Sequence, residues 1–430
     1  MKWLPSVKVT RSNHKSVAQK IRRRRESSKN ERVTRRIIDE VRKNGDKAVL
    51  AYIRKFDRVH MRKEQLKVSQ AEIKESTRCV DRNVLSALRL SLQRLEASQK
   101  ELLSRVNYST ELEDFTLQLA TNPLPSVGCY VPGGRAAYPS TVLMTAGLAK
   151  LAGVSRIVIC TPPDSNGAVN DTILAAADLC GVNEIYRCGG AQAISALAYG
   201  TQTISRVEKI VGPSGAYAAI AKRLISRDTP IDFYAGPTEL VVVADKTANP
   251  RLVAWDLIAQ AEHGSDTLTC LVTCSGEVAD DVRSETSRIL PTIERRKYVE
   301  ESLANGSTAI CEDQDTACDF VNEMAPEHVE LLTEHNLDFS KRIRTAGLIL
   351  IGPYSPVAAS DYCVGTNHVL PTAGFARNHS ALSILDFTKL TWSVTGSHNG
   401  LQNILEPLKT LTSSEGLLNH YSAVQARFES

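Results

Sequence analysis

The sequence predicts an α/β fold in which helices cover both faces of a parallel sheet. From about residue 30 to residue 110 apolar residues recur at helical spacing, and from Val127 onward short apolar runs alternate with helical stretches. Repeated alternation of strands and helices is typical of parallel sheets that are buried on both faces. The chain has 430 residues, more than the roughly 250 to 300 at which a single core stops growing. We therefore expect at least two domains.

The helical part begins behind a basic run. Residues 20–25 read Lys-Ile-Arg-Arg-Arg-Arg, and Val33, Ile37, Ile38 and Val41 follow at near-helical spacing. This spacing indicates a surface helix rather than a nucleic-acid-binding arm. The net charge of +4 is too small to imply a nucleic-acid partner for the whole chain.

A long amphipathic helix is expected from about Asp81, a residue type that caps helix N-termini. Its apolar stripe consists of Leu88, Leu92, Leu95 and Leu102. Such a stripe packs against a core, so we assign these residues to packing and not to catalysis.

The strands expected after this helix are short and apolar. They are Val127–Val131, Arg156–Cys160, Glu184–Cys188, Val207–Val211, Glu239–Asp245, Thr267–Thr273 and Gly347–Ile351. The last three indicate a second α/β unit. Several runs end in glycine or proline, for example at Gly133, Gly189 and Gly212, and glycine at the carboxyl end of a parallel strand lets the backbone approach a phosphate. Because the G-x-G-x-x-G pattern is absent, a dinucleotide site and ordinary turn geometry both remain open on spacing alone.

Composition places the chain among globular proteins. Hydrophobic residues make up 42% and charged residues 23%, no run of about 18 apolar residues marks a membrane span, and the first residues lack the apolar stretch of a signal peptide. We therefore expect a cytoplasmic protein with no membrane partner. The ten cysteines form no Cys-x-x-Cys pair, so we expect buried free thiols, Cys274 among them. Cys129 and Cys363 lie inside motifs, so a nucleophile role is conceivable. Neither has a base at a sequence spacing that would indicate such a role.

Three distant segments concentrate histidines and carboxylates beside glycine and proline. They are Gln260–Gly264, Ala325–Glu330 and Ser360–Pro371. A site assembled from several loops has this appearance, so we expect an enzyme, and a metal-assisted one.

Gln260 and His263 are candidate metal ligands. Residues three apart on a helix share a face, so both side chains can offer lone pairs to one cation, and Asp361 can add an oxygen. This mixture of donors suits zinc with open positions for a substrate. A capping glutamine and an ordinary helical histidine explain the pair better when it is taken alone.

Glu327 and His328 are candidate acid–base residues. They follow Pro326, and proline is a favoured first residue of a helix. We therefore expect both in a first helical turn, where the helix dipole keeps a histidine neutral near pH 7 and able to accept a proton. A surface helix that begins with ordinary polar residues is the alternative.

Taken together, these motifs resemble those of histidinol dehydrogenases, in the same order and over essentially the whole chain. The segments that carry the resemblance are Tyr130–Val142, Gly189–Ile194, Ala235–Glu239, Gln260–Gly264, Ala325–His328 and Gly365–Thr372. The resemblance implies two Rossmann-like doubly wound domains, one inserted in the other, with helical N- and C-terminal dimerisation segments. The implied limits are an N-terminal arm at 1–25, a main α/β domain with the metal and catalytic residues at 26–130 and 238–382, an inserted NAD-binding domain at 131–237, and a dimer-embracing tail at 383–430.

The resemblance also implies an activity, the last step of histidine biosynthesis. L-histidinol is oxidised through L-histidinal to L-histidine with two NAD⁺, in a homodimer that has shared active sites and one zinc ion per subunit. The implied zinc ligands are Gln260, His263, Asp361 and His420, with His420 supplied by the tail of the other subunit. The implied acid–base pair is Glu327 and His328. The implied substrate site consists of this pair, the zinc ligands, Thr238, His368 and Glu415. The implied NAD contacts are Tyr130, Gln192 and Gly215.

The roles implied for these residues agree with their chemistry. His328 takes the alcohol proton, Glu327 helps water to add to the aldehyde, and His328 accepts a second proton as the hydrate is oxidised. The C-terminal stripe of Leu417, Tyr421 and Val424 is too narrow for a core of its own, so we expect the tail to dock on a partner.

Three positions depart from the family pattern. Gly215 stands where many members have an asparagine that contacts NAD, so only its backbone can help there. Thr238 replaces a serine and keeps the hydroxyl. Tyr234 replaces a common proline, and we expect it to crowd the substrate loop.

Two other functions remain open on the sequence. Relatives in the same superfamily oxidise other polar alcohols, such as sulfonated diols, although the four apparent metal ligands with Glu415 and His368 favour histidinol. The second is a non-catalytic protein that binds nucleic acid through its basic helix; the Glu327–His328 pair argues against it.

Overall fold

The computed structural model describes residues 3–23, 28–133, 137–234 and 236–429. The chain divides into two compact units. The main unit comprises Met1–Gln99 and Leu124–Phe387, and the second unit comprises Lys100–Pro123 and Thr388–Ser430. The three segments that concentrate histidines and carboxylates all lie in the main unit.

Helices and strands alternate along most of the main unit. The helices in chain order are α1 (His14–Arg23), α2 (Ser28–Asn44), α3 (Asp46–Phe56), α4 (Gln70–Cys79), α5 (Arg82–Val106), α6 (Pro139–Val142), α7 (Leu148–Leu151), α8 (Asp171–Leu179), α9 (Gly190–Tyr199), α10 (Ala216–Ile225), α11 (Pro250–Ala261), α12 (Gly276–Ile289), α13 (Arg296–Asn305), α14 (Gln314–Met324), α15 (Asn336–Arg342), α16 (Val357–Tyr362), α17 (His398–Asn403), α18 (Leu405–Ser414) and α19 (Leu418–Gln425). The strands are β1 (Ser6–Val9), β2 (Tyr108–Leu112), β3 (Phe115–Pro123), β4 (Ser126–Tyr130), β5 (Arg156–Thr161), β6 (Glu184–Arg187), β7 (Lys209–Val211), β8 (Glu239–Ala244), β9 (Leu268–Thr273), β10 (Ser307–Cys311), β11 (His328–Leu332), β12 (Leu348–Ile351) and β13 (Thr388–Gly396). None of the described helices is long and apolar enough to cross a membrane.

A six-stranded sheet forms one half of the main unit. Its order is β1-β10-β9-β8-β11-β12, and every neighbouring pair is parallel. Helices α11 and α12 cover one face, where Leu257 and Val282 pack with Leu271. Helix α14 covers the other face, where Phe320 packs with Val329. The predicted parallel sheet with helices on both faces is confirmed.

A four-stranded sheet forms the other half, in the order β6-β5-β4-β7 with parallel pairing throughout. The N-terminal helices pack on it, because Ile37 of α2 and Ile53 of α3 share a core with Val158 of β5 and Ile194 of α9. Strand β4 pairs with β5 and β7, so it lies in this sheet, although a domain limit after residue 130 assigns it to the other domain. The division into a main and an inserted domain stays a prediction.

The second unit is built on an antiparallel sheet in the order β13-β3-β2. The ring of Tyr108 meets that of Trp392 edge to face, with 5.7 Å between the centroids. Helices α17, α18 and α19 complete the unit.

The long helix α5 begins where the sequence predicts. The carboxylate of Asp81 accepts a hydrogen bond from the backbone N–H of Asn83 at 2.7 Å, which is the contact of a helix N-cap. Leu88, Leu92 and Leu95 of the expected stripe are buried.

Two expectations about local structure are wrong. Glu327 and His328 do not begin a helix; His328 is the first residue of strand β11, which pairs with β8 and β12 and whose five residues are all buried. Cys274 is exposed, whereas Cys160, Cys180 and Cys188 are buried as expected.

Residues 3–23, the described part of the expected N-terminal arm, contribute a strand and a helix to the main unit. Strand β1 is the edge of the six-stranded sheet, paired with β10, and Ala18 of helix α1 is fully buried in the core under α14. The basic run is described as far as Arg23, since residues 24–27 lie outside the described residues.

Candidate active site

A cavity of about 500 Å³ opens between the two sheets of the main unit. The four-stranded sheet contributes residues at the carboxyl ends of its strands, such as Tyr130 and Pro213, and the six-stranded sheet contributes residues at the amino ends of β8, β9 and β11, namely Thr238, Thr267 and His328. At the carboxyl ends of strands the sequence left a dinucleotide site open. The candidate catalytic side chains lie at amino ends instead, because the turns that enter β8 and β11 meet there.

Glu327 is buried on the cavity wall with one carboxylate oxygen fully engaged. Its Oε2 accepts hydrogen bonds from the backbone N–H of Glu239 at 2.7 Å and from Oγ1 of Thr238 at 2.5 Å. Burial raises the pKa of Glu327 well above its usual value, and these two hydrogen bonds oppose that rise. Among the described residues no donor reaches Oε1, so this oxygen is available to a substrate or to water.

His328 is buried with its proton fixed on one ring nitrogen. Nδ1 lies 3.1 Å from the carbonyl oxygen of Glu239, and since a carbonyl only accepts, Nδ1 carries the hydrogen. Nε2 has no hydrogen-bond partner among the described residues and lies 3.8 Å from Oδ1 of Asp361. Burial lowers the pKa of His328 to about 4. The ring is therefore neutral near pH 7, with the Nε2 lone pair free, and burial rather than a helix dipole is the reason.

A short chain of hydrogen bonds joins Gln260 to Glu327. Nε2 of Gln260 donates to Oγ1 of Thr238 at 2.7 Å, and Thr238 donates onward to Glu327. The Thr238 hydroxyl thus fixes a candidate metal ligand relative to the candidate acid–base residue. Because the amide nitrogen of Gln260 is engaged, its carbonyl oxygen is the atom it can offer to a cation.

Asp361 and His368 also line the cavity. Nδ1 of His368 donates to the backbone carbonyl of Asp361 at 2.9 Å, and the hydroxyl of Thr141 lies 3.3 Å from its Nε2. Burial raises the pKa of the Asp361 carboxyl to about 7 and lowers that of His368 to about 4.

The residues expected to bind a metal lie together. Gln260, His263 and Asp361 all line a smaller cavity of about 230 Å³, and His263 and Asp361 also line the larger one. An amide oxygen, an imidazole and a carboxylate are donors that zinc accepts, and a cation beside Asp361 would favour its ionised form. Within the described residues no cluster of three or more His, Cys, Asp or Glu side chains can hold a metal. A tetrahedral site therefore needs the glutamine and a further ligand.

Comparison with known proteins identifies the family. The family model for histidinol dehydrogenase matches residues 20–428. The chain is 40% identical to a histidinol dehydrogenase of Bacillus cereus, over 99% of this chain and 97% of that one, and 42% identical to one of Methanothermobacter thermautotrophicus, over 91% and 92%. A crystal structure of histidinol dehydrogenase from Elizabethkingia anophelis superposes with a TM-score of 0.92 at 32% identity, covering 99% of this chain and 98% of that one.

The chain belongs to the histidinol dehydrogenase family. It is therefore a dehydrogenase, an oxidoreductase of histidine biosynthesis, and the likeness over nearly the whole length confirms the α/β fold. A non-catalytic nucleic-acid-binding protein is set aside by this membership.

The cofactor residues expected from the histidinol dehydrogenase motifs lie on the side of the four-stranded sheet. Tyr130 lines the cavity, and its hydroxyl accepts a hydrogen bond from the N–H of Gly190 at 3.0 Å. Gly190 has a φ of +64°, and a Cβ there would lie 2.9 Å from Oε1 of Gln192, so this turn requires glycine. Gln192 is buried beside it and is not among the residues that line the cavity.

Gly215 occupies an open position. It precedes helix α10 with a φ of −69°, lines the cavity, and a Cβ built on it meets no atom within 4 Å. Among the described residues nothing local requires glycine here, so the space in which we expect the asparagine of other family members is left open in this chain.

The remaining expected residues lie elsewhere. Tyr234 packs against Phe375 with ring centroids 5.5 Å apart and does not line the cavity; that it crowds the substrate loop stays a prediction. Glu415 and His420 belong to the second unit, where both are exposed, at the end of α18 and within α19.

Sequence reasoning missed two features of the site. The first is Glu239, whose backbone N–H and carbonyl hold Glu327 and His328, because backbone contacts leave no mark on residue type. The second is a pair of neighbouring carboxyls, Asp256 on α11 and Glu330 on β11, of which Asp256 lines the smaller cavity. Burial raises the pKa of both, and the charge of Asp256 raises that of Glu330 further, because two close carboxyls disfavour double ionisation. A strand at 328–332 would have placed Glu330 on the same face as His328.

Proposed function

We propose that this chain is a zinc- and NAD-dependent histidinol dehydrogenase that oxidises L-histidinol through L-histidinal to L-histidine with two NAD⁺. The observation that carries the proposal is the buried pair of Glu327 and His328 on the cavity wall. Each residue has one atom engaged by Glu239 and one atom available to a substrate. Two successive oxidations at one carbon need such a proton acceptor twice.

Gln260, His263 and Asp361 are the residues that would hold zinc, with His420 of a second copy as the fourth ligand. Bound zinc would supply a template for the imidazole and amine of the substrate. Tyr130, Gln192 and the backbone of Gly215 would hold NAD⁺, which would supply the hydride acceptor.

In the first oxidation His328 is the base. Its Nε2 takes the proton of the substrate hydroxyl, while the hydrogen bond from Nδ1 to the Glu239 carbonyl stabilises the imidazolium that forms. Its low pKa means that the ring releases this proton again readily, so that it is neutral for the second half of the reaction.

In the second oxidation Glu327 acts on water. Its raised pKa lets Oε1 take a proton from a water that adds to the aldehyde and give it up afterwards. Thr238 and the Glu239 N–H hold Oε2 throughout, which fixes the direction of Oε1. His328 then accepts the proton of the hydrate as it is oxidised to the carboxylate.

The proposal includes substrate contacts at Thr238, His368 and Glu415 and a homodimer with shared sites. Support for the homodimer comes from the second unit by itself, which leaves large apolar side chains exposed: Trp392 by 51%, Val394 by 60%, Leu411 by 61% and Leu418 by 59%. Apolar surface of this kind is typical of a face that another chain covers. We also keep the proposed domain division with its exchanged tail at 383–430, and the cytoplasm as the compartment, which the ten free cysteines favour.

The test is NADH formation from purified protein with L-histidinol, with and without a chelator, and with a sulfonated diol as a comparison substrate. We expect NADH with histidinol alone and its loss on chelation. Turnover of the diol but not of histidinol would show that histidinol is not the substrate. Turnover that resists the chelator would show that the reaction needs no metal.

A further inference from the structure

The turn before the acid–base pair is held at three successive carbonyls. The carbonyl of Pro326 accepts from the N–H of Gly347 at 3.0 Å, and that of Glu327 accepts from the N–H of Leu348 at 2.9 Å. Ala325 comes first, with a left-handed φ of +40° at the end of helix α14. No backbone N–H of the described residues donates to its carbonyl, which accepts instead from Nη2 of Arg22 at 3.0 Å.

Arg22 belongs to the basic run that the reaction chemistry leaves unexplained. It lies on helix α1, four residues after Ala18, which is buried against α14. One turn of helix therefore carries the Arg22 guanidinium from that contact towards the C-terminal end of α14. A cation at this end is favoured by the helix dipole.

The same guanidinium faces Glu239. Nη2 lies 3.9 Å from Oε2 of Glu239, with the side chains 19% and 6% exposed. Burial lowers the pKa of Arg22, while the charge of Glu239 raises it. Oε1 of Glu239 accepts from the N–H of Ala373 at 3.0 Å. Two groups from distant parts of the chain thus hold the Glu239 side chain.

Glu239 is also the residue whose backbone holds both members of the acid–base pair, through its N–H to Glu327 and its carbonyl to His328. Arg22 therefore makes two contacts with residues that support the pair. It donates a hydrogen bond to Ala325, two residues before Glu327, and it forms an ion pair with Glu239. The Arg22 guanidinium thus joins Glu239, the first residue of β8, to the turn that enters β11.

We propose that Arg22 is a positioning residue for the Glu327–His328 pair, acting through the Ala325 carbonyl and the Glu239 carboxylate. The inference rests on the proposed roles of Glu327 and His328. It assigns a function to one residue of the N-terminal basic run, which is structural support of the site from helix α1 rather than contact with an anionic partner.

The test compares Arg22→Met, Arg22→Lys and Lys20→Met. Methionine keeps much of the length of the side chain and removes the guanidinium, lysine keeps the charge with fewer donors, and Lys20 is an exposed cation on the same helix. For each variant kcat and KM with histidinol are measured per folded protein. Hydrogen exchange of the peptide that spans residues 321–332 is measured in parallel.

We expect Arg22→Met to lower kcat by about 10- to 100-fold, as for a misplacement of a catalytic group by a fraction of an ångström to 1 Å, with KM within about twofold. Exchange in residues 321–332 should become faster, Arg22→Lys should recover part of both losses, and Lys20→Met should change neither. An unchanged kcat per folded Arg22→Met protein, or a rise in KM alone, would overturn the proposal.

The outcome is separable from that of the proposed function. If the wild-type protein does not oxidise histidinol, the function fails, and the exchange measurement still decides the structural claim. Unchanged exchange in Arg22→Met overturns the positioning role whatever the substrate is.

Discussion

Replacement of Lys222 by methionine should show how strongly one buried ion pair stabilises the cavity wall. Lys222 on α10 and Asp232 form an ion pair in which both side chains are fully buried. Nζ of Lys222 donates to the carbonyl of Gly212 at 2.9 Å, and Oδ2 of Asp232 accepts from the N–H of the same glycine at 2.8 Å. The pair thus clamps both backbone groups of Gly212.

The clamp matters because Gly212 leads into the loop that lines the cavity. Its φ is +119°, and a Cβ there would lie 2.2 Å from the carbonyl oxygen of Tyr130. The position therefore requires glycine, because the backbone of residue 212 packs directly against that of Tyr130. Pro213, Ser214 and Gly215 follow directly and line the cavity.

The magnitude follows from the burial. Removing one partner of a buried ion pair costs about 3–5 kcal/mol, since the other charge is left unpaired away from water. Asp232 would retain the N–H groups of Gly212 and Phe233 as donors, so we expect the low end, about 3 kcal/mol. Adding Asp232→Asn to Lys222→Met should recover part of this loss, because the buried charge is then gone.

The assay is urea unfolding of wild type, both single variants and the double variant, followed by fluorescence. Lys246→Met, at an exposed position, is the control and should stay within about 0.5 kcal/mol of wild type. Two results would refute this reasoning. One is a loss in free energy of unfolding below about 1 kcal/mol for Lys222→Met, which would mean that the pair is not shielded from water. The other is a double variant that shows the full sum of the single losses, which would mean that the two side chains do not stabilise each other.

Three further predictions concern chemistry, assembly and pH. Glu327→Gln should impair the oxidation of histidinal more than that of histidinol, because water activation belongs to the second half; equal damage with the two substrates supplied separately would contradict this. Mixing His263→Ala and His420→Ala proteins should restore up to roughly half of wild-type activity per mixed dimer, since in the proposed dimer both lesions fall in one of two shared sites; no recovery would mean that each site is built within one chain. Burial raises the pKa of Glu330 above its usual 4.5, so the folded protein keeps a proton that the unfolded chain releases, and this contribution to stability, complete below pH 4.5, declines as pH rises through neutrality. Glu330→Gln, which stays neutral, should therefore gain stability relative to wild type between pH 5 and pH 8 in urea titrations, and a constant difference would show that Glu330 is ionised in the fold.

Periodicity in the sequence predicted the strands that are long, apolar and bounded by glycine or proline. Runs such as Arg156–Cys160 and Glu239–Asp245 correspond to β5 and β8. Strand β11 was mistaken for a helix start because Pro326 favours a first helical turn and because Glu327, His328 and Glu330 are polar. Those side chains are polar yet buried, so the local pattern conflicts with the tertiary structure at this strand, as is expected at functional sites.

In the candidate site, too, one part could be predicted from the sequence and another could not. Side chains with distinctive chemistry, such as His263 and Asp361, could be found from motifs, and the structure brings them to one cavity. The contribution of Glu239 could not, since its backbone N–H and carbonyl make the contacts, and every residue type except proline has both. Contacts between distant segments, such as Arg22 with Ala325, depend on the packing of α1 against α14, which no short motif records.

The most direct test of the proposed chemistry is the turnover of His328→Asn, measured with histidinol and with histidinal on protein whose zinc content and dimer state are known. Because the proposed mechanism makes His328 the proton acceptor in both oxidations and assigns it no metal, both rates should fall by about 10²- to 10⁴-fold, while zinc and the dimer stay as in wild type. Rates within about twofold of wild type, or a loss of zinc on this substitution, would contradict the assignment of Nε2 of His328 as the base.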